Sequence, residues 1–168
     1  RIAIGDTYIG GDCVNQLMIA GPCAVESREQ IEQSCQMLKR LGIRVLRAGS
    51  YKPRTSPYTF RGLGEDGLKL LAEMREKYGV LVATEMRDAT HADKVIEYAD
   101  IVQVGAKAMY DHGLLTAAGQ CGNPVILKRG FSSTLQELVH AADFVMSCGN
   151  ENVILCERGI RSFETQTR

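Results

Sequence analysis

Residues 101–129 read IVQVGAKAMYDHGLLTAAGQCGNPVILKR, and the rest of the chain follows their rhythm. Ile101-Val102-Gln103-Val104 is a short run of strand formers. A short helix is expected near residues 111–118, opened by Asp111. Gly122-Asn123-Pro124 then makes a turn that feeds Val125-Ile126-Leu127. Strand, helix, turn, strand in fewer than thirty residues is one βα unit and the start of the next. Strands that are apolar on successive positions are buried on both faces, as in a parallel sheet covered by helices. The crossover between two such strands is right-handed.

The same unit repeats on both sides. Toward the C-terminus a helix is expected over residues 133–147. Gly149-Asn150 then leads into Val153-Ile154-Leu155-Cys156, much as Gly122-Asn123 leads into its strand. Toward the N-terminus, Val80-Leu81-Val82-Ala83-Thr84 is a strand and residues 89–98 a helix, with Thr90 and Asp93 spaced like a capping box. Ahead of these come a strand at 43–46 and a helix at 65–78, and before them a strand at 17–20 and a helix at 28–41. Gly42 and Gly79 each stand where a helix closes on a glycine. Ile2 to Ile9, around Gly5-Asp6, reads as a small hairpin. Six strands thus begin near residues 17, 43, 80, 101, 125 and 153.

An open doubly wound sheet and a (β/α)8 barrel both fit that order. The glycine pattern of a dinucleotide fold does not follow the first strand. Gly62, Gly64 and Gly67 come after a loop instead. The charges at the strand ends favour the barrel. Arg47 follows the second strand, Glu85 the third, Lys107 the fourth, Lys128 and Arg129 the fifth, Glu157 and Arg158 the sixth. In a (β/α)8 barrel these positions converge on the face that carries active sites. The expected architecture is therefore α/β, a TIM barrel with about six βα units present. It forms one partial domain over residues 1–168, with the hairpin at about 1–10 plugging the bottom and the strands spanning about 17–156.

Composition sets limits on what this face can bind. Twenty Lys plus Arg balance twenty Asp plus Glu among 168 residues, 45% hydrophobic and 24% charged. A neutral balance argues against a nucleic-acid partner, and no apolar run approaches the roughly 18–20 residues of a membrane span. Six cysteines without a Cys-x-x-Cys pair or a secretory leader predict a reduced, cytoplasmic protein. Against the neutral background, residues 44–61 hold Arg44, Arg47, Lys52, Arg54 and Arg61 and no acid. Two prolines stiffen Lys52-Pro53-Arg54-Thr55-Ser56-Pro57. A stiff cationic loop beside a ring of cations predicts a small ligand with more than one anionic group, phosphate or carboxylate.

Five blocks in order carry a resemblance. They are residues 20–27 (AGPCAVES), 46–57 (LRAGSYKPRTSP), 83–85 (ATE), 127–131 (LKRGF) and 156–161 (CERGIR). Together they are similar to the 3-deoxy-D-arabino-heptulosonate 7-phosphate (DAHP) synthase family, in its smaller bacterial and archaeal type, through essentially the whole chain. The resemblance implies a (β/α)8 transferase that condenses phosphoenolpyruvate with erythrose 4-phosphate, the first step toward chorismate and the aromatic amino acids. It implies that Arg47, Lys128 and Arg158 bind phosphoenolpyruvate, with Gly105, Ala106 and Lys107 against its phosphate. Lys52 and Glu85 become the catalytic pair, and Lys52, Pro53, Arg54 and Thr55 face the sugar phosphate. Cys23 becomes a ligand of a divalent metal ion such as Mn, Fe, Zn or Co. Dimers or tetramers are expected of the full-length family member.

Two departures qualify this reading. Lys107 stands where the family usually has Arg; it keeps the charge but loses the planar fork, which predicts a weaker hold on phosphate. The family's remaining metal ligands, a His, a Glu and an Asp on the last two strands, have no counterpart in a chain that stops after the sixth strand. His91, His112 and His140 are expected at a helix start and within two helices, as capping or surface residues. The 168-residue chain is accordingly read as the front part of a longer enzyme, inactive and prone to associate by itself. Two other readings remain: 3-deoxy-D-manno-octulosonate 8-phosphate synthase, disfavoured by Lys52-Pro53-Arg54-Thr55, and a non-catalytic phosphate-binding remnant.

Overall fold

The structure, a computed structural model, describes residues 1–52, 56, 58–160, 162 and 163. A two-stranded antiparallel hairpin, β1 (Ile2–Ile4) and β2 (Thr7–Ile9), precedes six parallel strands. These are β3 (Ile19–Ala20), β4 (Val45–Arg47), β5 (Leu81–Met86), β6 (Ile101–Val104), β7 (Val125–Lys128) and β8 (Val153–Cys156). Each strand pairs with its neighbours in sequence, in the order β3-β4-β5-β6-β7-β8. The helices between them are α1 (Arg28–Arg40), α2 (Glu65–Tyr78), α3 (Ala92–Tyr98), α4 (His112–Gln120) and α5 (Leu135–Ser147). Sequential parallel order with a helix in each crossover is the arrangement of a (β/α)8 wall.

The helices form where the sequence caps them. The Ser27 hydroxyl accepts from the Gln30 amide, Ile31, Cys35 and Leu38 make one buried stripe, and Lys39 and Arg40 face the negative end of α1. Gly42 and Gly79, at φ +67° and +66°, close α1 and α2 in the left-handed conformation. Thr134 and Glu137 form a reciprocal capping box on α5. The Thr90–Asp93 pairing does not form. Asp88 instead accepts from the Thr90 amide and caps a 3-10 turn over Ala89–His91, because its extended backbone aims the carboxylate at that amide. The expected helix near 111–118 runs on to Gln120, with Asp111 as its cap.

Alternation along the strands separates two cores. Leu46, Val82, Val102 and Leu127 point outward and are covered by the helices. Ile19, Val45, Ala83, Ile101, Ile126 and Ile154 point inward. There they meet Ile2, Ile4 and Ile9 of the hairpin, which plugs that end as expected. Two residues further along β4 to β7 the inward row changes character. Val45 gives way to Arg47, Ala83 to Glu85, Ile101 to Gln103 and Ile126 to Lys128. Arg47, Glu85 and Lys128 are therefore strand residues and not the first loop residues after them. The polar row sits at the C-terminal end of the sheet.

Candidate anion site at the C-terminal end of the sheet

A cleft of about 330 Å3 opens over that row. Glu85, Gly105, Ala106, Lys107, Lys128 and Arg158 line it, together with Gln103, Arg87, Asp111 and Phe131. Among the described residues Lys107, Lys128 and Arg158 have no ion-pair partner. The Arg158 Nε is buried without a hydrogen-bond acceptor. Its guanidinium carbon lies over the Phe131 ring, 4.4 Å from the ring centre, a cation–π contact that holds the group at the cleft. Arg129, by contrast, is spent on structure. It donates to the Ser133 carbonyl at 2.8 Å and to the Glu157 carboxylate at 2.6 Å.

Beside the cleft lies a second group of predicted residues. Arg47 donates through Nε to the Gln103 amide oxygen at 3.2 Å and through Nη1 to the Cys23 carbonyl at 3.3 Å. Its Nη2 stands 3.5 Å from Glu85 Oε2. The Gln103 Nε2 donates to the same Glu85 oxygen at 3.0 Å. Lys52 is 5% exposed, and its ammonium lies over the Cα of Gly49, where any Cβ would overlap it. A Cβ on Gly105 would come within 2.5 Å of Glu85 Oε1. Two glycines thus make room for the two charged side chains.

Burial, and then the Arg47 charge, push the Lys52 ammonium below its usual range. For Cys23 burial acts upward, but Lys52 and then Arg47 outweigh it and the thiol lies below its usual value. Cys35, on the buried face of α1, is pushed up to about 11 by burial and then Glu32.

Of the residues singled out in the sequence, Cys23, Arg47, Lys52, Glu85, Gly105, Ala106, Lys107, Lys128 and Arg158 gather at one end of the sheet. Pro53, Arg54 and Thr55 lie outside the described residues. Gln103, Arg87, Asp111 and Phe131 were missed. Gln103 was readable, because it is the polar residue of a buried strand in phase with Arg47 and Glu85. Phe131 was not, since nothing local marks it as the partner of a residue 27 positions later.

A divalent ion finds no adequate donor set here. No cluster of three His, Cys, Asp or Glu able to hold one exists among the described residues. The exposed Cys23 thiol has two cations beside it. The histidines are engaged elsewhere: His91 against Tyr51, His112 against Phe144, and His140 on the wall of a separate hollow between α4 and α5. The described residues do not fit a metal centre by themselves. Nor is any described helix long and apolar enough to cross a membrane.

Fold and site together define a (β/α)8-type wall with a cleft at its C-terminal end lined by Lys107, Lys128 and Arg158 and by the acids Glu85 and Asp111. Comparison with known proteins places it more narrowly. Residues 2–168 match the DAHP synthetase I family. The chain is 49% identical over 167 residues to the phospho-2-dehydro-3-deoxyheptonate aldolase of Thermotoga maritima, covering 99% of this chain and 49% of that protein. The crystal structure of a Thermotoga maritima DAHP synthase superposes with a TM-score of 0.92 at 48% identity, covering 99% of this chain and 48% of the other. A 2-dehydro-3-deoxyphosphooctonate aldolase of Fusobacterium nucleatum is 32% identical over 166 residues, covering 95% of this chain and 59% of its own. The chain belongs to the DAHP synthetase I family, and it spans about half the length of the curated relatives it matches.

Proposed function

We propose that the cleft binds phosphoenolpyruvate and serves its aldol-type condensation with erythrose 4-phosphate to DAHP and phosphate. The observation that carries this reading is the set of three cations, Lys107, Lys128 and Arg158, that face one small cleft without ion-pair partners among the described residues. Lys107 is exposed and Lys128 and Arg158 are half-buried, so each stays charged in water, and like charges gathered around one recess favour an anion between them. Phosphoenolpyruvate carries a carboxylate and a phosphate, which several cations around one cleft can pair with. Family membership and the 49% identity to a protein named for this chemistry support the same substrate.

In this reading Arg158, Lys128 and Arg47 hold the ligand. The backbone of Gly105 and Ala106, with Lys107, meets the phosphate. Lys52, its ammonium loosened by burial, gives a proton toward the bridging oxygen as phosphate leaves. Glu85 stands beside the reacting enol and orders the water that adds at C2, while C3 forms the new bond to the aldehyde carbon. A divalent ion would draw its remaining donors from outside the described residues, and these roles belong to the side chains alone.

Calorimetric titration of the chain with phosphoenolpyruvate tests this. Binding that weakens at least about tenfold in Arg158→Met and in Lys128→Met, roughly 1.4 kcal/mol each, is the expected result. A wild-type chain that binds neither phosphoenolpyruvate nor inorganic phosphate overturns it. Erythrose 4-phosphate against arabinose 5-phosphate as the second substrate separates the heptulosonate reading from the octulosonate one.

A further inference from the structure

Gln103 occupies the junction of the two halves of the site, and nothing assigned to the site so far uses it. It is 3% exposed. A buried primary amide needs partners at both ends, and here both partners carry charge. Its oxygen faces the Arg47 guanidinium at 3.2 Å and its nitrogen the Glu85 carboxylate at 3.0 Å. Turning the amide over would set donor against donor and acceptor against acceptor, so the two charges fix its orientation.

The consequence lies in what Arg47 and Glu85 do not do. Both are mostly buried, with side chains 21% and 15% exposed, and opposite in charge. Such a pair normally closes to about 2.7–2.9 Å, often through two parallel bonds. Here the one charged contact is 3.5 Å. Arg47 Nε is taken by the neutral Gln103 oxygen and Nη1 by the neutral Cys23 carbonyl. Gln103 also holds Glu85 Oε2, which leaves Oε1 beside the Cα of Gly105 on the cleft wall. β6 delivers it to this place directly, since Gln103 and Glu85 are register partners and Arg47 reaches over from β4.

We propose that Gln103 is a positioning residue that keeps Arg47 and Glu85 from closing on each other, so that the Arg47 charge stays available to a substrate anion and one Glu85 oxygen to the cleft. This deepens the phosphoenolpyruvate reading and rests on it. Without the amide, the guanidinium turns to Glu85 and an incoming anion must compete with that carboxylate. A packing role for Gln103 predicts no such competition.

The test separates the two through Glu85. Gln103→Met keeps the bulk and removes both hydrogen bonds. Phosphoenolpyruvate affinity by calorimetry is expected to fall about tenfold in Q103M. In the E85Q/Q103M double variant it returns to within about twofold of E85Q alone. A Q103M chain that binds like wild type overturns the inference, as does a loss that E85Q does not relieve. Should Q103M lose its helical circular dichroism, Gln103→Asn replaces it. Its amide is one carbon too short to reach both partners, and the same loss and rescue are required. A ligand-free measurement keeps this inference apart from the function it rests on. The Arg47 Nε–Hε resonance is expected to shift in Q103M and to move back toward its wild-type place when Glu85 is also replaced. A shift with no phosphoenolpyruvate binding by the wild type refutes the substrate and retains the positioning role. Binding with an unmoved resonance does the reverse.

Discussion

Lys52 and Cys23 influence each other through proximity, and both consequences can be measured. The Cys23 thiol is exposed and held low by Lys52 and Arg47 against the effect of burial, whereas burial pushes Cys35 up to about 11 and raises Cys121. The thiolate is the nucleophile. Limiting iodoacetamide near neutral pH should therefore label Cys23 first and Cys35 and Cys121 last by peptide mass mapping, and Lys52→Met should slow the Cys23 reaction several-fold. Lys52 itself is lowered in the folded state, chiefly by desolvation. A depressed ammonium costs stability in full below its folded pKa, and the cost fades as pH climbs toward the unfolded value of about 10.4. Lys52→Met should raise the melting temperature at pH 7, and its advantage over wild type should shrink toward pH 10. Equal shifts at both pH values would contradict the burial argument. Gly105 makes the complementary case: a methyl group there meets Glu85 Oε1 at 2.5 Å. Gly105→Ala should weaken phosphoenolpyruvate binding about tenfold, roughly 1.4 kcal/mol, with little change in melting temperature.

At the scale of elements, the strands deliver a polar row at one end because their inward phase is kept from β4 to β7. Val45, Ala83, Ile101 and Ile126 are followed two residues later by Arg47, Glu85, Gln103 and Lys128. The loops after the strands are braced as well. The Met109 sulfur accepts from the Gly130 amide at 3.2 Å, and the Tyr110 hydroxyl meets Ser133 Oγ at 2.8 Å, so the β6–α4 and β7–α5 loops share a wall. The cap on α5 begins directly after this wall. Thr134→Ala should cost about 1 kcal/mol, roughly 2–4 °C of melting temperature in a chain of this size. No local rule displaced this cap, whereas at Thr90 the nearer Asp88 carboxylate took the amide first.

At the scale of the whole molecule, the six-stranded sheet has two edge strands among the described residues, β3 and β8. Among the described residues no strand pairs with the outer edge of β8, and Leu155 on that strand is 49% exposed. Unpaired strand edges with apolar side chains recruit further strands. Light scattering of the isolated chain should show mass rising with concentration, and Leu155→Lys should reduce that rise. A strictly monomeric wild-type chain at high concentration would show that the edge is protected in another way.

The sequence by itself determined the order of elements, the parallel sheet, the plugging hairpin and most of the residues that gather at the C-terminal end of the sheet. It could do so because strand period, helix caps and strand-end charges such as Arg47, Glu85 and Lys128 are local signals, and the five family blocks lie in one order. The limits of β6 and β8 match the expectation and those of β3, β4, β5 and β7 differ by one or two residues, because where pairing begins and ends depends on the neighbouring strand. Only the tertiary structure decided which cations stay unpaired. Arg129 and Arg158 look alike in sequence, yet one is bound to Glu157 and Ser133 and the other lies over Phe131. It also decided that Gln103, one polar residue in an apolar run, stands between Arg47 and Glu85. Those partners are 56 and 18 residues away in sequence, and packing three strands side by side is what brings their charges within hydrogen-bonding reach of one amide.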